Sequence, residues 1–169
     1  MEIESIAIEL NRLSEAVSLG LFDEAMNGVD ILYQQINEDT ERDALFFTIM
    51  SNIASIFIDV GHMKPCVNSA QKGLDILNEH KNEVIEQIGE DAYFYNLSNA
   101  KSSLISEKNP FDYTFSTIEQ LIEIKTDLWK AIKSFSNKNS GKIEPTYIVN
   151  LGNSLKQQFR IAEAIECYD

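Results

Sequence analysis

Residues 145–169 read PTYIVNLGNSLKQQFRIAEAIECYD, and this stretch decides the fold. Pro145 suits the first turn of a helix, because its backbone angle is already helical and the amide proton that it lacks is not needed there. Apolar residues then recur at steps of three and four, as on one face of an amphipathic helix: Ile148, Leu151 and Leu155. A second helix is predicted from about Arg160, so the stretch predicts two helices joined by a short turn.

The same helical spacing recurs along nearly all of the preceding chain. It predicts six more helices, with apolar stripes over residues 3–17, 22–36, 46–60, 67–88, 93–104 and 118–132. No segment rich in Val, Ile and Thr alternates with period two for long enough to predict a strand. Eight helices with short connections are typical of four antiparallel hairpins, so we expect an all-α fold in a single domain over residues 1–169.

The predicted helix ends rest on residues that stop or start helices. In chain order they are a cap at Asp39 or Thr40, an end at Gly89, a turn at Asn109-Pro110, a capping box at Ser116–Glu119 and a loop at Ser134–Gly141. Within the sixth helix, Trp129 is predicted to belong to the core together with Phe115, Leu128 and Phe135.

Three short segments repeat along the chain, at residues 52–55 (NIAS), 96–99 (NLSN) and 150–153 (NLGN). They follow one another at unequal intervals, and each falls in the first helix of a predicted hairpin. Gly20 and Gly61 form a second recurring pair, because a small residue, Ala25 or Cys66, follows each of them at the same distance. We expect these glycines and Gly152 at helix ends or at close helix contacts.

The end of the chain resembles a tetratricopeptide repeat (TPR). The residues that carry the resemblance are Tyr147, residues 150–153, Leu155, residues 162–165 (AEAI) and Tyr168. The resemblance implies an α-solenoid of about four antiparallel hairpins in a right-handed superhelix. It also implies that Leu151 and Gly152 pack against the paired helix. Ala164 would then be a small residue at a close contact, and Tyr168 would fill the groove to the next repeat. The intervals between the three segments are longer than the repeat unit of the family, so the middle of the chain is divergent. The alternative fold is a helical bundle in which the repeats are accidental.

In TPR arrays the first helices of successive hairpins line a concave groove, and Asn at the repeated position often hydrogen-bonds a peptide backbone. The resemblance therefore implies a peptide-binding groove lined by Asn52, Tyr95, Asn96, Asn99, Asn150 and Asn153. Asn52, Asn96 and Asn150 would form one row with accessible side chains, and Asn99 with Asn153 a second. The alternative is a structural role, in which each Asn bonds the neighbouring hairpin.

The charge of the chain limits the kinds of molecule that it can bind. The chain has 27 Asp and Glu against 14 Lys and Arg, a net charge of −13, which disfavours direct binding to nucleic acid. All of this net charge lies in residues 1–91, so this half either attracts a basic partner or is a solvated face. Tyr95, Thr146 and Val149 stand where recognition of a C-terminal carboxylate needs Lys and Arg, so that ligand is not supported.

The predicted compartment is the cytoplasm, with no membrane partner. Cys66 and Cys167 lie far apart in the chain without CxxC spacing, which suits a reducing environment. The N-terminus lacks the basic and apolar regions of a signal peptide, and no apolar run is long enough to cross a membrane.

No enzyme constellation is found, so we predict no catalytic residue, no cofactor and no metal. His62 and Cys66 lie close together in sequence, but Pro65 stands between them and no second ligand pair exists. Neither His62 nor His80 follows a Glu at the spacing that a di-iron bundle requires. An enzyme on a helical scaffold is kept as the competing class.

These observations predict a protein-interaction module that binds a peptide or a helix and serves as a sensor or scaffold. Irregular TPR-like arrays of this style occur upstream of HEPN-type ribonuclease domains in bacterial defence proteins, whose Arg–His signature is missing here. The resemblance implies an N-terminal fragment of a longer protein with an effector domain downstream. An alternative is a self-assembly module of such a ribonuclease. Self-association would use an apolar C-terminal edge formed by Leu155, Ile161, Ile165 and Tyr168.

Overall fold

A computed structural model describes residues 3–39, 44–59, 61, 63–105, 108 and 112–168. These residues form helices and turns, with no strand among them, which confirms the predicted helical class. The helices are α1 (Ile3–Ser18), α2 (Phe22–Asp39), α3 (Ala44–Asp59), α4 (Met63–Ile88), α5 (Glu90–Ile105), α6 (Phe115–Lys138), α7 (Pro145–Gln157) and α8 (Ile161–Tyr168).

The predicted roles of three glycines are confirmed. Gly20 follows α1 and Gly61 follows α3, with φ values of 76° and 77°, in a region that residues with a side chain rarely enter. Gly152 lies inside α7, where an added Cβ would come within 2.6 Å of the Tyr168 ring of α8. The first two glycines therefore end helices, and the third allows two helices to approach closely.

The ends of α6 differ from the prediction at both sides. The N-cap is Thr114, whose hydroxyl accepts a hydrogen bond from the Thr117 amide, so the helix begins at Phe115 and Ser116 is already helical. The helix also runs on to Lys138, through most of the predicted loop. Tertiary contacts explain the extension, because the Ser134 hydroxyl donates to Glu90 and Lys138 pairs with Asp91.

The buried face of α6 is also not the predicted one. Trp129 is 53% exposed and Phe115 is 76% exposed, so their assignment to the core is wrong. Leu128 is buried as predicted, and Phe135 packs against the core with its side chain partly buried. Two apolar stripes run side by side on this helix. The buried stripe is Thr117, Leu121, Ile124, Leu128 and Ala131, and the neighbouring stripe of Ile118, Ile122 and Trp129 is exposed.

Other helix predictions have mixed outcomes. The fourth helix does reach Ile88, although His80 inside it has non-helical angles, and Pro145 does occupy the first turn of α7. Asp39 lies in α2. The predicted sites at Thr40, His62 and Asn109-Pro110 lie outside the described residues, as does the side chain of Cys66.

Two apolar clusters form the interior. The first joins buried residues of α1 to α5, and Phe57 is fully buried in it. The second joins α6, α7 and α8 to Ile105 at the end of α5. Phe94 of α5 packs against both clusters, so α5 connects the two halves of the interior.

Helix contacts follow the order of the chain. Each of the described helices packs on its successor, and α1 also contacts α3, as α3 contacts α5. Helix α6 packs on both α5 and α7, which brings the residues of the candidate site on these two helices together.

Candidate functional site

Side chains of α5 and α7 meet in a cluster that we call the Tyr–Asn cluster, made of Tyr95, Asn99, Tyr147 and Asn150. Tyr95 and Asn99 are one helical turn apart and therefore share one face of α5, and Tyr147 and Asn150 share a face of α7 in the same way. The Tyr95 and Tyr147 rings stack with their centroids 4.7 Å apart and an interplanar angle of 30°. The two faces are thus in direct contact.

Hydrogen bonds connect the polar ends of the cluster. Asn150 Nδ2 donates to the Tyr95 hydroxyl at 3.1 Å and to Asn99 Oδ1 at 3.2 Å. These two bonds use both protons of the Asn150 amide. Within the described part of the chain, Asn150 Oδ1 and Asn99 Nδ2 have no hydrogen-bond partner. The partly buried cluster therefore keeps one acceptor and one donor for a ligand.

Tyr147 connects the Tyr–Asn cluster to the second apolar cluster. It is 8% exposed, and its ring meets Phe135 edge-on at 5.9 Å. Its hydroxyl lies 3.5 Å from Asp91 Oδ2. Burial, followed by the negative charges of Asp91 and Glu144, raises the pKa of Tyr147 to about 12. The site thus rests on a buried, neutral phenol.

Tyr147 and Tyr93 are expected to make the protein less stable at alkaline pH. Burial, followed by the negative charge of Asp127, raises the pKa of Tyr93 to about 12 as well. Between pH 10 and about 12 the unfolded chain loses these protons while the folded chain keeps them, so the free energy of unfolding decreases as pH rises. Urea unfolding at a series of pH values measures this loss. The Tyr93→Phe/Tyr147→Phe variant should lose less stability over the same interval; an equal loss would assign the effect to other groups.

The remaining predicted groove residues do not join the cluster. Asn96 is 7% exposed and donates to the Ala92 carbonyl of its own helix at 2.9 Å, so the prediction of an accessible side chain is wrong for it. Asn52 is exposed on α3, and Asn153 is exposed on α7, where it accepts a hydrogen bond from the Tyr168 hydroxyl at 2.8 Å. Three of the six predicted residues, Tyr95, Asn99 and Asn150, are therefore brought together.

Tyr147 is the cluster member that the site prediction omitted. The available signal was its spacing, since it lies one helical turn before Asn150 on the same face of α7. The stacking partner Tyr95 belongs to another helix, far away in sequence, and no pattern within α7 identifies it.

The last hairpin differs in part from its predicted edge. Ile161, Ile165 and Tyr168 are exposed by 51%, 51% and 46%, but Leu155 is buried. Leu155 and Ala164 both belong to the second apolar cluster, which explains why Leu155 does not contribute to an exposed edge.

Neither a metal cluster nor a membrane-spanning helix is found among the described residues. No group of three or more His, Cys, Asp or Glu side chains there could hold a metal ion. None of the helices in this part of the chain combines the length and the apolar character needed to cross a membrane.

Comparison with known proteins adds one structural neighbour. No protein-family model matches the chain, and no curated protein matches its sequence. The crystal structure of BtubC (BKLC) from P. vanneervenii is similar with a TM-score of 0.36 and 15% sequence identity, over 98% of this chain and 86% of that chain. At this TM-score the similarity carries no argument about fold or function.

Proposed function

We propose that the chain is a protein-interaction module that binds an extended peptide at the Tyr–Asn cluster. The observation that carries the proposal is the unused acceptor of Asn150 beside the unused donor of Asn99. An extended peptide offers a backbone N–H and C=O to the same side at each alternate residue, so it can bond both groups at once.

The proposed architecture is a TPR-like stack of helix hairpins. Two observations support it: consecutive helices pack together, and contacts of α1 with α3 and of α3 with α5 join alternate helices. The Tyr–Asn cluster continues this series from α5 to α7. In such a stack α3, α5 and α7 line one face, and Asn52 on α3 would extend the peptide site beyond the cluster.

The wider role proposed is that of a sensor or scaffold for an effector domain. This role rests on the resemblance to TPR arrays alone. The partly buried position of the cluster supports recognition of a partner by a few polar groups beside an apolar surface, since the stacked rings of Tyr95 and Tyr147 belong to the same cluster as the amides.

Selection of short random peptides displayed on phage tests the peptide proposal directly. Selected peptides are synthesised, and their affinity is measured for the original chain and for the Asn99→Ala/Asn150→Ala variant. Loss of two hydrogen bonds to the peptide backbone should weaken binding by about 1–3 kcal/mol, or roughly 5- to 150-fold. Binding is measured by titration calorimetry.

The matched control is Asn82→Ala, which removes an exposed amide of α4, a helix that contributes no residue to the cluster. It should leave peptide affinity unchanged. Thermal unfolding of each variant separates binding from folding. Unchanged affinity of the double variant together with a lower Tm would contradict the proposal, because the two amides would then serve only to hold α7 on α5.

A further inference from the structure

An exposed apolar tip lies at the turn between α1 and α2, and we call it the head. Leu19, Leu21 and Phe22 are exposed there by 67%, 47% and 50%. The exposed carboxylates of Asp23 and Glu24 follow in the first turn of α2. Glu24 pairs with Arg12, whereas Asp23 has no ion pair within the described residues. The head is therefore apolar with an acidic border.

A second exposed surface surrounds the turn between α7 and α8, and we call it the tail. Phe159 is 63% exposed at its centre and lines two depressions of about 360 and 540 Å³. Ile118 and Ile122 of the exposed α6 stripe line one depression, and Ile161 lines the other. The lining also includes Lys156 and Arg160 and contains no carboxylate.

The backbone at the centre of the tail is strained. Phe159 has a φ of 59°, which is unusual for a bulky residue and would cost a glycine little. Hydrogen bonds from the amides of Phe159 and Arg160 to the carbonyls of Lys156 and Leu155, each 3.0 Å long, hold this turn. A strained, exposed aromatic side chain is more typical of a contact surface than of a solvated turn.

We propose that the chain associates head to tail, with the head of one copy bound to the tail of the next. The two surfaces are both apolar, and their borders carry opposite charge. Lys156 provides the clearest partner for Asp23, since Arg160 is also paired with Glu163 of its own helix. A second copy is favoured as the occupant because the head and the tail carry complementary charges at their borders. Head-to-tail packing also sets the acidic residues 1–91 of one copy, with their net charge of −13, against the neutral residues 92–169 of the next instead of against another acidic half.

A head-to-tail contact joins two different surfaces, so it forms open chains unless its rotation closes a ring. Neither surface includes the Tyr–Asn cluster. Peptide binding and self-association can therefore succeed or fail separately in experiments.

Sedimentation velocity over a range of concentrations tests the proposal with two blocked variants. The original chain should form oligomers larger than dimers at high concentration. Phe22→Asp removes the apolar head and Phe159→Asp removes the centre of the tail, and each variant alone should sediment as a 19.2 kDa monomer. Each still has one intact surface, so an equimolar mixture should form a dimer and no larger species.

Controls distinguish this contact from other forms of association. Ile31→Asp changes an equally exposed apolar residue of α2 outside the head and should leave association unchanged. Circular dichroism shows whether each variant is folded. If Phe22→Asp or Phe159→Asp is unfolded, the experiment is repeated with Lys156→Glu and Asp23→Lys. Each of these should raise the dissociation constant at least tenfold alone. Their mixture should recover oligomers larger than dimers, because the native head of Lys156→Glu meets the native tail of Asp23→Lys and the two reversed charges meet each other.

Three results would overturn the proposal. If the original chain is monomeric at all concentrations, the two surfaces do not bind each other and would serve partners of another kind. Failure of the two variants to form a dimer when mixed would indicate a symmetric contact. Association that survives both substitutions would place the contact elsewhere on the molecule.

Discussion

Replacing Phe57 with Ala is expected to lower the free energy of unfolding by about 3–5 kcal/mol. Phe57 is fully buried in the first apolar cluster, where its ring meets Tyr33 of α2 edge-on at 5.8 Å. The substitution removes buried apolar surface and leaves a cavity that neighbouring helices fill only in part. A domain is typically stable by about 5–15 kcal/mol, so this single change removes a large share. Urea unfolding measures the difference.

The control for this prediction is Phe115→Ala, which deletes the same side chain where it is 76% exposed. We expect it to change stability by less than about 0.5 kcal/mol. A similar loss for both phenylalanines would show that burial does not decide their contribution, and would contradict the assignment of Phe57 to the core.

Replacing Lys101 with Met is expected to destabilise the protein by about 2–3 kcal/mol. Lys101 Nζ lies 2.7 Å from Asp127 Oδ2, and the Asp127 side chain is only 5% exposed. Burial disfavours the charge of Lys101, but hydrogen bonds to Asp127 and Glu123 outweigh it and raise its pKa. The substitution leaves a buried carboxylate with Lys130 as its remaining ion-pair partner among the described residues, at 3.2 Å. That partner keeps the loss below the value for a fully unpaired charge.

Two further variants separate the buried charge from lost packing. Lys101→Met/Asp127→Leu replaces both charges with apolar groups and should recover most of the stability, because no unpaired carboxylate is left inside. Arg160→Met breaks the exposed pair with Glu163 and should cost less than about 1 kcal/mol. If the double variant is less stable than Lys101→Met, the Asp127 carboxylate stabilises the fold even without Lys101, and the buried-charge explanation is wrong. Chemical denaturation at neutral pH is the measurement.

Local sequence was sufficient for most of the helical framework. Periodic apolar residues placed the eight helices of the described part of the chain, and Gly20, Gly61 and Pro145 marked ends that the structure confirms. These signals succeed because a helix, its stop and its first turn depend on residues within a few positions of one another. The prediction of the carboxyl end of α6 was wrong for the complementary reason. Its last turn is held by Glu90 and Asp91 of α5, which are distant in sequence.

The candidate site shows the same division more sharply. The repeated Asn motif correctly pointed to Asn99 and Asn150, but it also included Asn96, which is buried and bonded to its own helix. Equivalent positions in a repeat need not share an environment when the spacing between repeats varies. The three Asn segments follow one another at unequal intervals, so their positions in the sequence do not ensure equivalent positions in the structure.

The sequence by itself thus determined that this protein is helical, where its helices lie and that its N-terminal half is acidic. Only the tertiary structure decided which stripe of α6 is buried and which residues meet Asn150. Tyr95 and Asn99 lie 55 and 51 residues before Asn150, and each helix carries more than one face that could pack. The choice among those faces is made by the fit of whole helices against one another, because burial is a property of the assembled core and not of any single segment.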